Sequence, residues 1–268
     1  MIDNPKFNKF EEQVFLNTVF IENLTDGSTG TGFIISKPSE KEDKHKLLLF
    51  SNKHVFWGKE NIENTSTIKK EFKLTFHKRS EDGKYILGDT HCFVGSITRS
   101  IEKGYYDHPD SKVDVACANI SNLLERGINL NLLHLKDDNF FDSALEEGHL
   151  IAGMNIVFVG YPSGFFDYKN FLPVMRSGSI ASIPSVNFNG EKRILLDAQI
   201  FPGSSGSPVF SIINGKYKLI GIVSDGVHRG LDFVDIDKTS DVSKYPIQFI
   251  GLGLLFTSDT IKEVYDIA

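Results

Sequence analysis

Short apolar runs alternate with polar turns along most of the chain, and their order predicts a protein built from strands. Residues 14–21 are β-rich, a turn follows at Asp26-Gly27-Ser28, and residues 30–36 make the next run, so the pair predicts a hairpin. A charged loop over residues 37–46 leads into Leu47-Leu48-Leu49-Phe50, wholly apolar, as in a strand buried on both faces. Further strands are predicted at residues 71–77, 85–87, 92–98 and 113–120. From residue 121 to 135, Leu123, Leu124, Ile128, Leu132 and Leu135 recur near helical spacing, which suits either a helix or an irregular bridge. A second series of strands is predicted at residues 155–162, 175–183, 193–200, 208–213, 217–225 and 248–256. Ser258 or Asp259 then caps a short terminal helix with Ile261, Val264 and Tyr265 on its apolar face.

Two series of strands and one terminal helix predict an all-β fold, two six-stranded antiparallel β-barrels with a short C-terminal helix. The expected division is a first barrel half over residues 1–120, a connector over 121–150, a second barrel half over 151–256 and the helix over 257–268. With 268 residues, 40% of them hydrophobic and 24% charged, the chain has enough apolar material for one large or two small domains. The net charge of −6 is scattered, and no basic stripe points to nucleic acid or an anionic membrane surface. Cys92 and Cys117 each fall inside a strand-like run, which suggests buried free thiols in a reducing compartment or in a fold that needs no staples, with a disulfide between them left open. Neither a leader pattern near Met1 nor an apolar stretch of about eighteen residues occurs, so the expectation is a soluble, cytoplasmic chain.

Candidate chemistry centres on Pro202-Gly203-Ser204-Ser205-Gly206-Ser207-Pro208, a turn running straight into an apolar strand. Two glycines near Ser205 let the backbone take positive φ, which would stand the hydroxyl out of a sharp turn with N–H groups converging beside it. A segment of this composition is also an ordinary turn. A serine nucleophile needs a histidine base, and the base needs an orienting carboxylate. His54 follows the buried strand directly, whereas His45, His77, His91, His108, His134, His149 and His228 lie in loops or strand flanks with no metal-ligand spacing, so no zinc site or cofactor is expected. Around Asp114, alternation puts Val113, Val115 and Cys117 on one face and Asp114, Ala116 and Ala118 on the other. A carboxylate there needs a donor partner, and small neighbours leave room for an imidazole. Asp107 and Asp110 are the competing acids, in a loop.

These residues, taken in order, carry a resemblance. Gly30-Thr31-Gly32-Phe33, Ser51-Asn52-Lys53-His54-Val55, Asp114-Val115-Ala116, Gly160-Tyr161-Pro162, Ser177-Gly178-Ser179-Ile180, the stretch from Asp197 to Pro208 and Gly221-Ile222-Val223-Ser224 resemble the trypsin-like serine peptidases, and within them the bacterial HtrA-like protease domain. The resemblance implies hydrolysis of a polypeptide substrate. It assigns His54 as general base, Asp114 as its acid, Ser205 as nucleophile, and the N–H groups of Gly203 and Ser205 as the oxyanion hole. It likewise implies that Gln199 lines the specificity pocket and that Ser224, Asp225 and Gly226 pair with the substrate backbone.

Departures from the family pattern are also visible. Ser204 stands where digestive members have an aspartate, which argues against zymogen activation of that kind, and no PDZ-like segment follows. Gln199 and Val223 support neither a basic-residue nor a glutamate preference. Residues 227–247, rich in aspartate, are read as an enlarged loop beside the pocket. Restraint of activity is expected from an oxyanion loop, residues 201–204, ordered only by substrate or by a regulatory protein partner. The alternative reading is a catalytically silent scaffold that binds extended peptides. An α/β-hydrolase fits poorly, since the order histidine, aspartate, serine is not that fold's.

Overall fold

The first predicted strand begins later than its composition implies, because its N-terminal half is helical. In the computed structural model, which describes residues 10–39, 45–63, 66–79, 87–125, 127–130, 132–134, 139–144, 146–230 and 247–268, α1 (Phe10–Asn17) precedes β1 (Thr18–Asn23). The Thr18 hydroxyl donates to the Val14 carbonyl at 2.7 Å, and the Asn17 amide donates to the Ile34 carbonyl at 2.9 Å, tying the helix end to the sheet. Phe10 packs edge-on against Phe210 with ring centroids 5.3 Å apart, so tertiary packing overrides the β-rich composition here.

The hairpin partner is β2 (Thr29–Pro38), and β3 (His45–Ser51), β4 (Lys69–His77), β5 (Thr90–Thr98), β6 (Tyr105–Asp107), β7 (Ala116–Asn119) and β8 (Leu133–His134) complete the first sheet. Its order is β5-β4-β1-β2-β3-β7-β6, with β8 running parallel on β2. The sheet curls as a half-barrel rather than closing on six strands. One helical turn, α2 (Lys53–Trp57), leaves the end of β3, and another, α3 (Asn122–Glu125), is the helical part of 121–135 among the described residues. Residues 85 and 86 of the predicted 85–87 strand lie outside the described residues, and Leu87 is in a turn.

The second half closes fully. Strands β9 (Asn155–Gly160), β10 (Val174–Ile180), β11 (Arg193–Asp197), β12 (Pro208–Ile213), β13 (Lys216–Gly230) and β14 (Ile247–Thr257) form a barrel in the order β10-β11-β14-β13-β12-β9. Of the acidic segment expected at 227–247, residues 231–246 lie outside the described residues. In the terminal helix, α4 (Ser258–Ile267), the N-cap is Thr257 rather than Ser258 or Asp259, and Ile261 and Val264 are fully buried.

Burial explains the strand patterns. Leu47 and Leu49 point into a core under the first sheet, while Leu48 and Phe50 point into a second core shared with Val159, Phe210 and Phe256 of the barrel. That shared core joins the two halves, and Val113, Val115 and Cys117 enter it too, whereas Ala116 and Ala118 face the core under the first sheet. Both cysteines are free. Cys117 is buried, which pushes its thiol well above the ordinary range, but Cys92 is exposed on β5 rather than buried as expected.

At the end of β4, His77 is buried beside Phe171, next to a cluster in which Phe20, Tyr161, Phe166 and Phe171 meet. Burial pushes its pKa down to about 4, against a smaller opposing effect from a hydrogen bond with the Phe171 backbone. A depressed histidine pKa means that the unfolded chain takes up a proton which the native state refuses. His77 therefore contributes fully above its ordinary pKa of 6.5, and that contribution is lost as pH falls from there toward 4, by about 3 kcal/mol in all. Urea denaturation of wild type and His77→Phe at pH 7 and pH 4.5 checks this. The variant is expected to lose less stability between the two pH values, and an identical loss would refute the role assigned to His77.

Candidate active site

His54 is placed by the junction of β3 and α2. Val55, Phe56 and Trp57 on that single turn are buried in the first core, which leaves His54 as the partly exposed member. Strand β7 pairs Ala116 with Ser51, so Asp114, two residues before the strand, lies beyond the end of β3 and beside the start of α2. There its carboxylate accepts the His54 backbone N–H at 2.9 Å on one oxygen and His54 Nδ1 at 2.5 Å on the other. With Nδ1 donating to a carboxylate, the Nε2 edge is the one left to act as a base. The Asn52 side chain donates to the Asp114 carbonyl at 2.7 Å and fixes the acid's backbone as well. Asp107 and Asp110, the competing acids, do other work. Asp107 pairs with Arg99 Nε at 2.7 Å, and Asp110 caps its own loop through the N–H of Lys112.

Lys53 is buried immediately before His54. Its ammonium reaches the carbonyls of His108, Asp110 and Ser111 at 3.4, 3.2 and 3.3 Å, holding the loop that leads into Asp114. Burial lowers its pKa, against the opposing charges of Asp107 and Asp114. Nothing in the sequence marks Lys53 for this role apart from its position next to His54.

The Ser205 turn is fastened from the other half of the molecule. Thr31 on β2 donates its N–H to the Ser205 carbonyl at 2.9 Å and its hydroxyl to the Gly203 carbonyl at 2.8 Å, while that hydroxyl accepts the Tyr161 N–H at 3.1 Å. Gly206 sits at φ +88°, and a Cβ there would lie 1.8 Å from the Thr31 carbonyl oxygen, so only glycine allows this approach. Gly203 is at φ +83°. The Pro202 carbonyl accepts the Ser163 N–H at 2.6 Å, and in a trans peptide the Gly203 N–H then points to the opposite side. Among the described residues no acceptor takes the N–H of Gly203 or of Ser205. The loop over residues 201–204 is held here by the Thr31 hydroxyl, by the Ser163 N–H and by its own bond from the Ser204 N–H to the Phe201 carbonyl at 3.0 Å.

His54, Gly203 and Ser205 line one cavity of about 580 Å³ at the seam of the two halves, together with Ile200, Phe201, Pro202, Asp225 and Gly226. The serine does not face the histidine in a hydrogen bond. Its hydroxyl donates instead to the Ser224 carbonyl at 2.8 Å.

The trypsin-like peptidase domain pattern matches residues 30–222, which span the histidine, the aspartate and the serine. The chain belongs to the trypsin-like peptidase family. No curated protein matches it. Among solved structures, that titled "Crystal structure of Deg5" is similar at 17% identity over 82% of this chain and 88% of that one, with a TM-score of 0.47.

In this trypsin-like peptidase the residues expected around the substrate divide into two groups. Ser224, Asp225 and Gly226 lie on β13 beside Ser205, and Asp225 and Gly226 line the cavity. Gln199 does not line it. Its side chain is exposed and its carbonyl accepts Arg176 Nη1 at 2.5 Å, while its neighbour Ile200 turns inward over Gly253 and Gly226. Ile200 and Phe201 thus give the cavity an apolar stretch of wall, beside Asp26, Lys59, Glu60 and Asp225. Residues 198–200 alternate out of strand β11, and the one-residue difference between Gln199 and Ile200 decides which side faces the cavity.

Sequence reading missed Thr31, although its flanks gave a signal. Gly30 and Gly32 are pressed against Val55 and Leu49, and such close packing is what two glycines in a strand foretell. Thr31→Val keeps the shape but leaves the Tyr161 N–H and the Gly203 carbonyl without the hydroxyl. It is expected to cost about 1–3 kcal/mol in denaturant melts and to lower kcat as the turn loosens. Wild-type stability and kcat in the valine variant would show that the hydroxyl positions nothing.

Proposed function

We propose that this chain is a serine endopeptidase that cuts peptide bonds through His54, Asp114 and Ser205, with an acyl-enzyme intermediate. One observation carries the reading: His54, its Nδ1 held by the buried Asp114, shares a cavity with Ser205 and with the two unclaimed N–H groups beside it. In the proposed reaction His54 Nε2 accepts the Ser205 proton as Oγ attacks the scissile carbonyl. The N–H groups of Gly203 and Ser205 hold the oxyanion, and His54 returns the proton to the leaving amine. Water then repeats the sequence on the acyl-enzyme. Asp114 keeps the imidazole in the required tautomer and stabilises its protonated form.

The substrate is proposed to add as an extended strand along Ser224, Asp225 and Gly226, gaining affinity from main-chain hydrogen bonds. Its N–H would compete with the Ser205 hydroxyl for the Ser224 carbonyl, which frees the hydroxyl to turn toward His54. Catalytic hydrogen bonds are often loose before substrate binds, which suits this arrangement. The two halves are proposed to act as one peptidase domain, a reading supported by the core they share.

Labelling with a fluorophosphonate probe tests the assignment. Wild type is expected to react at Ser205, and His54→Ala and Ser205→Ala are expected not to. The second reading, a silent peptide-binding scaffold, is favoured by the bond from Ser205 to Ser224. Peptide binding by protein that refuses the probe would establish it in place of the first.

Lys59 and Asp225 form an ion pair of 2.6 Å that joins the two halves at the cavity mouth. Burial pushes the Asp225 carboxyl up, but its hydrogen bond with Lys59 and the charges of His54 and Lys59 outweigh this and hold it below the ordinary range. A substrate strand at Asp225 has to displace or pass this pair. Exposed pairs contribute about 0–1 kcal/mol, so Lys59→Ala is expected to lower KM by up to about fivefold with kcat unchanged. Steady-state kinetics on a peptide substrate measures both, and a rise in KM would mean that Lys59 holds substrate instead.

A further inference from the structure

A second cavity, of about 330 Å³, opens at the far end of the closed barrel. The Ser205 turn lies where β9 ends and β12 begins, whereas this cavity lies where β9 begins and β14 ends, and the two share no lining residue. Its walls are apolar. Phe141 and Leu150 come from the connector, Ile194 and Ile220 from the barrel, and Ile151 and Ile183 stand at 57% and 62% exposure. Large apolar side chains gathered at an open cavity, and left that exposed, mark a binding site more than a packing accident.

The polar lining has one sign. Glu147 and Asp259 bring carboxylates, and no lysine, arginine or histidine is among the described lining residues. The Ser143 hydroxyl donates to one Asp259 oxygen at 2.7 Å, which orients that carboxylate, and neither acid takes part in an ion pair among the described residues. Asp259 stands in the first turn of α4, so its charge also offsets the positive end of the helix dipole and removes the attraction an anion would otherwise find there.

We propose that this cavity docks a partner protein through a segment in which bulky apolar residues stand beside lysine or arginine. The apolar side chains fill the space between the connector and the barrel, and the basic group meets Asp259 and Glu147. Charge complementarity chooses this occupant over an acidic peptide, which would bring a third negative charge to the site. Docking needs no chemistry at Ser205, so its failure would leave the peptidase reading untouched.

The test uses the full chain carrying Ser205→Ala, so that the probe stays intact, and a fluorescein-labelled, end-capped Lys-Phe-Leu-Lys peptide read by anisotropy. Saturable binding is expected, with the Glu-Phe-Leu-Glu counterpart bound at least about tenfold more weakly. Ile183→Lys and Ala152→Trp, both at exposed lining positions where folding is not at stake, are expected to weaken binding about tenfold or more. Asp259→Asn keeps an acceptor for Ser143 but removes the charge, and a loss of about threefold is expected. Equal affinity for the acidic peptide, binding unmoved by Ile183→Lys and Ala152→Trp, or no saturation up to about 1 mM would each overturn the proposal. So would self-association of the chain, seen in sedimentation and abolished by Ile183→Lys, which would assign the cavity to a second copy.

Discussion

Replacing Ser205 by alanine is expected to lower kcat on a cleavable peptide by about a million-fold, because a triad that acts as a unit loses nearly all of its effect with any one essential member. The structural ground is specific. His54 and Asp114 are already locked together through two hydrogen bonds, so what the serine variant loses is the nucleophile and not the base. Binding is expected to persist, since the β13 edge and the cavity are untouched by loss of one oxygen atom. Ser205→Ala is a small truncation at a partly exposed side chain whose one hydrogen bond among the described residues is to the Ser224 carbonyl, and it is expected to fold normally. Steady-state turnover, fluorophosphonate labelling and a thermal melt on the same preparation separate these outcomes. Residual peptidase activity near the wild-type level in folded protein would sink the assignment.

Asp114→Asn is expected to cost about ten-thousandfold in kcat with little change in KM. The carboxylate now accepts twice from His54, from the backbone N–H and from Nδ1. Asparagine has one acceptor oxygen. If that oxygen keeps the backbone N–H, its amide group faces Nδ1 as a donor, and the imidazole must put its proton on Nε2, the atom that has to be free to take one from Ser205. Asp114 itself is buried, so water does not easily correct the mismatch at Nδ1. The pH–rate profile gives a readout that a merely structural change would not move, since recovery toward high pH is expected where hydroxide can stand in for the base. Loss of only a fewfold at neutral pH would mean that Asp114 orients His54 weakly or that another acid serves it.

Much of the fold is written in periods of two. The run Leu47 to Phe50 and the alternation from Val113 to Ala118 divide between two cores residue by residue, because a strand buried on both faces must send successive side chains in opposite directions. The helical spacing after residue 121 is a weaker guide, since among the described residues it yields the turn α3 and then the strand β8. Composition misled at residues 14–17, where packing of a helix across the seam outweighs β propensity, and at Cys92, where an edge-strand position exposes a residue type that is usually buried.

The site divides along the same line. From the sequence alone came the residue types, their order and the glycines that make a sharp turn at Ser205 feasible, because these depend on local backbone freedom and on strand period. The residues by themselves left Asp107, Asp110 and Asp114 as neighbouring candidates, of which the resemblance picked Asp114, and the pairing of β7 with β3 is the physical reason that this one reaches the imidazole. Tertiary structure alone decided that Thr31, 172 residues earlier than its partner Gly203, holds the turn, that Ile200 rather than Gln199 lines the cavity, and that the Ser205 hydroxyl rests on Ser224. Contacts between distant segments are set by how the two halves dock, and no local pattern of residues encodes the docking.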